Sequence, residues 1–234
     1  MSHCNPQSIF LNEKNFFRRL CIACREEWRA YCDHEFVRRL GDGSLPEECF
    51  RHYLIQDYLF LIHFSRAWGL AVYKSDNLDD MRDAAVILDA HLNQEIELHV
   101  KYCNSWGINR KRIEETPEAT ATMAYTRYVL ERGSAGDVLD LHVALAPCVI
   151  GYAVIGTNLA GKGAKALEAN PYREWIDMYA GDEYQAVAAT AVKRLDNLAA
   201  SRMGPGRLPE LIRTFSQATV LEIAFWRMGL EMQE

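Results

Sequence analysis

Three observations predict an all-α protein. No stretch sustains the strict alternation of apolar and polar residues that a half-buried strand needs. Several stretches instead place apolar residues three and four apart with charges between them. Helix punctuation separates these stretches: Gly41-Asp42-Gly43, Ser44-Leu45-Pro46, Gly107, Pro117, Gly133, Pro171, Gly181-Asp182 and Gly204-Pro205-Gly206. The chain has 234 residues, 49% of them hydrophobic, and no repeat, low-complexity segment or dividing linker. The expectation is one helical-bundle domain over 1–234, with 1–11 as a loose N-terminal arm.

From Asn12 to Cys32, Phe16, Leu20, Ala23 and Trp28 mark one helical face, and Cys21 and Cys24 form a C-x-x-C on it. No second ligand pair at matching spacing accompanies them, so zinc is not expected there. A short helix covers Glu35–Leu40 and stops at Gly41-Asp42-Gly43. Ser44 then serves as N-cap, with Pro46 in the first turn, for a long helix reaching Lys74. That helix carries Phe50-Arg51-His52-Tyr53-Leu54-Ile55-Gln56-Asp57-Tyr58-Leu59-Phe60-Leu61, aromatic on nearly every side, so most of its circumference is buried. Asp57 lies in its middle and must be paired or bind something polar.

Ser75 or Asn77 starts a helix that runs to Trp106 and ends at Gly107. His91, Glu95 and His99 form an i, i+4, i+8 stripe along it. The stripe reads as a solvated face, with half of a metal site as the alternative. A helix over Ala119–Arg132 bears Tyr125 and Tyr128 and ends at Gly133. The next, begun by Ser134 or Asp137, contains Leu145-Ala146-Pro147-Cys148-Val149-Ile150-Gly151-Tyr152-Ala153-Val154-Ile155-Gly156. Cys148 and Tyr152 share a face of it. Ala144, Gly151, Ala153 and Gly156 let a neighbouring helix or a flat ligand come close, and Pro147 should bend the helix before the thiol. A buried structural cysteine is the plain reading of Cys148, and a nucleophile the sharper one. A break within Thr157–Asn170, a short helix Tyr172–Tyr179, an amphipathic helix Glu183–Ser201 and a last helix Pro209–Met232 complete the chain. Glu222 stands in the last one among Val220, Leu221, Ile223, Ala224, Phe225 and Trp226.

Composition narrows the function classes. A formal net charge of −6 gives little with which to neutralise phosphates, so no nucleic-acid partner is expected. Seven cysteines, an odd number without small-domain spacing, point to a reducing, cytoplasmic setting. The first residues lack a signal-peptide pattern, and no run approaching eighteen apolar residues suggests a membrane partner.

Asp57, Tyr125, Cys148, Tyr152, Tyr179 and Glu222 all fall in apolar or aromatic surroundings, on at least five helices. Such a set suits a small, flat, neutral heteroaromatic ligand. Rings stack, Asp57 accepts from a ring amino group or shares a proton with a ring nitrogen, an accessible Cys148 thiolate can add covalently, and Glu222 can move a proton.

The blocks Gln56-Asp57-Tyr58, Ala124-Tyr125-Thr126, Pro147-Cys148 with Tyr152, Trp175-Ile176 with Tyr179-Ala180-Gly181, and Glu222 before Phe225-Trp226 resemble the TenA family, thiaminase II, in its Cys-containing branch. The resemblance covers roughly Phe36 to Gly229. It implies a heme-oxygenase-like helical fold without haem, no cofactor or metal, and a homotetramer. It also implies roles. Cys148 is the nucleophile toward an aminopyrimidine. Glu222 protonates the leaving group and then assists water, near Tyr152. Asp57 binds the pyrimidine amino group and ring nitrogen, and Tyr125 and Tyr179 shape the pocket by stacking and hydrogen bonding. The implied reaction replaces an amine, or the thiazolium of thiamine, on the exocyclic methylene with hydroxyl, for thiamine salvage or degradation. Phe60, placed with the substrate-binding residues, stands where some members carry Tyr. Two other classes are weighed against this one: a metal-dependent oxidase or oxygenase built on the His91/Glu95/His99 stripe, and a non-enzymatic regulator.

Overall fold

The computed structural model describes residues 10, 14–161, 163 and 167–234. They form α1 (Phe16–Ala23), α2 (Arg25–Cys32), α3 (Glu35–Asp42), α4 (Glu47–Lys74), α5 (Leu78–Ala90), a π-helical turn (His91–Glu95), α6 (Ile96–Ser105), α7 (Arg110–Glu114), α8 (Thr120–Ala135), α9 (Val138–Ala160), α10 (Arg173–Ala180), α11 (Asp182–Arg202) and α12 (Leu208–Glu231). No strand occurs among the described residues. Of the arm expected over 1–11, only Phe10 lies within them. It is buried, and its carbonyl accepts from Asn15 Nδ2 at 3.0 Å, so at that point the chain is tied down rather than loose.

Side chains set most of the helix starts. Asn15, Asn77 and Asn109 each accept the N–H three residues on, the ordinary N-cap bond. Asp137 and Asp140 cap α9 reciprocally. Asp137 Oδ1 accepts from the N–H groups of Leu139 and Asp140, and Asp140 Oδ2 accepts from the N–H of Asp137. Gly43, at φ 78°, closes α3 in the left-handed region.

Four expectations are corrected. The helix foreseen over Asn12–Cys32 breaks at Cys24, and Glu26 and Glu27 then occupy the first turn of α2, where acidic groups suit a new N-terminus. Ser44 does not cap α4. Pro46 holds that position with φ preset at −58°, while Ser44 donates its N–H to Asp42 Oδ1. Gly133 does not end α8, which runs on to Ala135; a Cβ at 133 would meet Leu141 Cδ1 at 2.8 Å, so the glycine serves close packing instead. Finally, α9 is long and apolar enough to cross a membrane, but its apolar stretch is wholly buried inside the protein and the helix is a core element.

The chain gathers into two compact units. One takes the described part of Met1–Leu45 with Val143–Ile223, the other Pro46–His142 with Ala224–Glu234. In the first, Phe17, Trp28 and Phe215 form an aromatic centre, with Trp28 stacked on Phe215 at 5.8 Å and Phe17 edge-on to Trp28 at 5.4 Å. In the second, α4 is the axis, packed by α5, the π turn, α6, α7 and α8. The six consecutive residues Gln56, Asp57, Tyr58, Leu59, Phe60 and Leu61 are all buried, which is the circumferential burial expected of it.

Candidate active site

In the unit built on α4, Tyr53, Asp57 and Phe60 succeed one another at helical spacing along one face. Asp57 is buried, and two donors meet on a single oxygen of it. Tyr53 Oη donates to Oδ2 at 2.9 Å, and His99 Nε2 lies 2.7 Å from the same atom. His99 is wholly buried, and its other nitrogen, Nδ1, lies 2.7 Å from the Glu95 backbone carbonyl. Burial alone would push the imidazole down. The hydrogen bond and charge of Asp57, helped by Glu95, outweigh it and hold His99 above its ordinary value.

The His91/Glu95/His99 stripe is therefore not the solvated face expected of it. All three residues are buried, and His91 Nδ1 pairs with Glu95 Oε2 at 2.6 Å. Burial is tolerable because each acid has found a base: Glu95 has His91, and Asp57 has His99. Both His99 nitrogens and His91 Nδ1 are engaged in these bonds. Among the described residues no group of three His, Cys, Asp or Glu is placed to hold a metal ion.

Phe60 and Tyr125 are neighbours, with ring centroids 5.0 Å apart, and Phe60 also stacks on Phe64 at 5.1 Å and lies 5.5 Å from Phe225. Gln56 positions the helix that carries Tyr125. Its Nε2 donates to the Pro117 carbonyl, and its Oε1 accepts from the Ala119 N–H and the Thr122 hydroxyl. Tyr58, on the other side of Asp57, reaches Glu114 at 2.7 Å. The three residues of the Gln56-Asp57-Tyr58 block thus do three separate things.

In the other unit, Cys148 and Tyr152 lie buried one turn apart on α9, which runs through Pro147 unbroken. Tyr31 Oη donates to the Pro147 carbonyl at 3.2 Å, and its ring lies where a Cβ on Gly151 would sit, 2.5 Å from Cε1. Gly156 does the same for α10: a Cβ there would meet the Tyr179 backbone carbon at 2.6 Å. The small residues of α9 do admit close neighbours, as expected. Tyr152 meets Tyr179 at 4.9 Å and Trp175 at 5.8 Å, and Gln185 Nε2 bridges the Ala153 and Tyr179 carbonyls. Glu222, on α12, is buried.

The structure thus brings Asp57 to Tyr53 and His99, Phe60 to Tyr125, and Tyr152 to Tyr179 and Trp175. Sequence reasoning missed Tyr53, His99, Gln56 and Tyr31 as supporting residues. Tyr53, four residues before Asp57, was within reach of a spacing argument. His99, 42 residues away, was not.

Known proteins share both the sequence pattern and the fold. The model of the TENA/THI-4/PQQC family matches residues 22–232. An aminopyrimidine aminohydrolase of Halalkalibacterium halodurans is 36% identical, over 86% of this chain and 89% of its own. The crystal structure of a TenA family transcription regulator from Silicibacter superposes with a TM-score of 0.87 at 44% identity, covering 92% of this chain and 96% of that one. A domain with a heme oxygenase-like fold from Shewanella denitrificans superposes with a TM-score of 0.72 at 11% identity, over 94% of each chain, and supports the fold alone. A heme-oxygenase-like helical fold and a family match across nearly the whole length lead to one conclusion: this chain belongs to the TENA/THI-4/PQQC family.

Proposed function

We propose that the protein is an aminopyrimidine aminohydrolase of the thiaminase II type, in the Cys-containing branch of its family. It replaces the amine, or the thiazolium of thiamine, on the 5-methylene of a 4-amino-2-methylpyrimidine with hydroxyl. The observation that carries this reading is that Cys148 and Tyr152 lie buried one turn apart on α9, with the Tyr152 ring against Tyr179 and Trp175, in a chain 36% identical to a named aminopyrimidine aminohydrolase.

In this reading the Cys148 thiolate adds to the electron-poor ring, and Glu222 gives its proton to the departing amine as the carbon–nitrogen bond breaks. Water then adds to the exocyclic methylene, its proton passes to the Glu222 carboxylate, and the thiolate leaves. The products are the hydroxymethylpyrimidine and ammonia. Asp57 accepts from the ring amino group, Tyr125 and Tyr179 bound the ring, Phe60 lies against Tyr125, and Tyr152 orients the water or the ring. No metal or cofactor takes part. A homotetramer in a reducing cytoplasm is the expected setting.

Incubation with 4-amino-5-aminomethyl-2-methylpyrimidine should release ammonia and the hydroxymethyl product. Cys148→Ser should lose activity by orders of magnitude with an unchanged melting temperature. An alkylating agent at neutral pH should label Cys148 ahead of Cys24 and Cys103, whose thiols burial pushes up to about 11. No product from the wild-type protein overturns the reaction, and full activity in Cys148→Ser overturns the nucleophile.

A further inference from the structure

His99 stands beside the residue assigned to recognition and contacts no part of the proposed reaction itself. Its surroundings dictate what it must carry. Nδ1 faces a backbone carbonyl, which can only accept, so Nδ1 bears a hydrogen. Nε2 faces the Asp57 carboxylate at 2.7 Å, and one further proton lies between them. His99 meets Asp57 on α4 and Glu95 on the π turn, with Tyr53 behind Asp57 and His91 behind Glu95. Two acids, Asp57 and Glu95, therefore stand against two imidazoles. The π turn is part of the device: the Ile96 N–H bonds the His91 carbonyl five residues back. It inserts one residue into the helix, which re-aims the downstream side chains by roughly 100°.

We propose that His99 is a positioning residue, an imidazolium that holds Asp57 as half of a net-neutral buried pair and so makes the site select an uncharged aminopyrimidine. The inference rests on the functional reading above. Tyr53 and His99 both occupy Oδ2, and neither engages Oδ1. The amino edge of a 4-aminopyrimidine offers an N–H donor beside a ring-nitrogen acceptor. A lone carboxylate would draw in the cationic, ring-protonated form. A carboxylate already neutralised by His99 takes the amino N–H of the neutral ring through Oδ1 and gains nothing from ring protonation. The proton that balances the site is resident on His99 before the ligand arrives. Binding should then be proton-neutral.

Two measurements test this. The ¹⁵N spectrum of the wild-type protein at pH 7.5 should show both His99 ring nitrogens protonated, a readout independent of any substrate. For His99→Gln, whose amide still donates to Asp57 but carries no charge, KM should rise with pH across the neutral range, approaching the tenfold per unit of one linked proton. The wild-type KM should stay flat there, and kcat should change far less than KM. Calorimetry with 4-amino-5-hydroxymethyl-2-methylpyrimidine in two buffers should find uptake of about one proton by His99→Gln and none by the wild type. An unprotonated His99 nitrogen overturns the inference, as does a flat KM in a folded His99→Gln protein that still turns over; the functional reading survives either. A wild type with both nitrogens protonated that neither binds nor hydrolyses the pyrimidine overturns the functional reading and the substrate preference built on it.

Discussion

Two histidines in the α4 unit each face a carboxylate at the same distance, and they are pushed in opposite directions. His99 Nε2 lies 2.7 Å from Asp57 and His63 Nε2 lies 2.7 Å from Glu118. His99 is raised and His63 lowered. Burial opposes the charge on both rings. For His99 the neighbours are acidic, and they prevail. For His63 the carboxylate is shared: Arg127 grips Glu118 through both its terminal nitrogens and itself lies 3.2 Å from His63 Nε2, and Arg66 points at Nδ1 from 2.8 Å. A guanidinium only donates, so a ring nitrogen facing it serves best as a lone pair. A carboxylate beside a histidine does not by itself fix the charge; the other groups competing for the pair do.

The contrast can be broken most strongly at Asp57. Asp57→Asn keeps the shape but strips a buried imidazolium of its counter-charge. Urea unfolding at neutral pH should show a loss of about 3–5 kcal/mol, the scale for breaking a buried ion pair from one side. Glu118→Gln, part-exposed and with Arg127 free to turn to water, should cost about 1 kcal/mol or less. Equal losses would remove the distinction.

The pH dependence of stability separates the pair by sign. A base raised in the folded state binds more protons there than when unfolded. The His99 contribution is thus complete below the ordinary histidine value and lost as pH rises through its raised one. His63, lowered, contributes above the ordinary value, and its share is lost as pH falls through that region. Denaturation midpoints against pH should flatten on the alkaline side in His99→Gln and on the acid side in His63→Gln. The smallest effect sharpens the cause: Arg66→Ala should move the His63 titration, monitored by proton NMR, up toward the ordinary value with little change in stability.

Legibility from sequence tracked the range of the interactions. Helix class, most boundaries and the burial of α4 and α9 were readable because periodicity and capping act over a few residues, as at Asn77. The glycines of α9 were readable as points of close approach, but not that Tyr31 and Tyr179 fill them. The His91/Glu95/His99 spacing was visible and its environment misjudged, because polarity looks solvated until its partner is known. That partner, Asp57, lies on another helix, and a π turn intervenes in the register. The TENA/THI-4/PQQC family was legible because several short blocks fell in the right order, although no block alone would have sufficed.

The contact at Gly156 carries one more consequence. The group 2.6 Å from the missing Cβ is the main chain of Tyr179, not the tip of a movable side chain. The gap between α9 and α10 is therefore gauged by two backbones in touch, and no rotamer change can widen or narrow it. An alanine at 156 would move Trp175 and Tyr179 together as one rigid face. Anyone reshaping this aromatic cluster to take a bulkier ring will find the tolerance in the side chains of Tyr152 and Tyr179, while the spacing between the helices behaves as a fixed gauge.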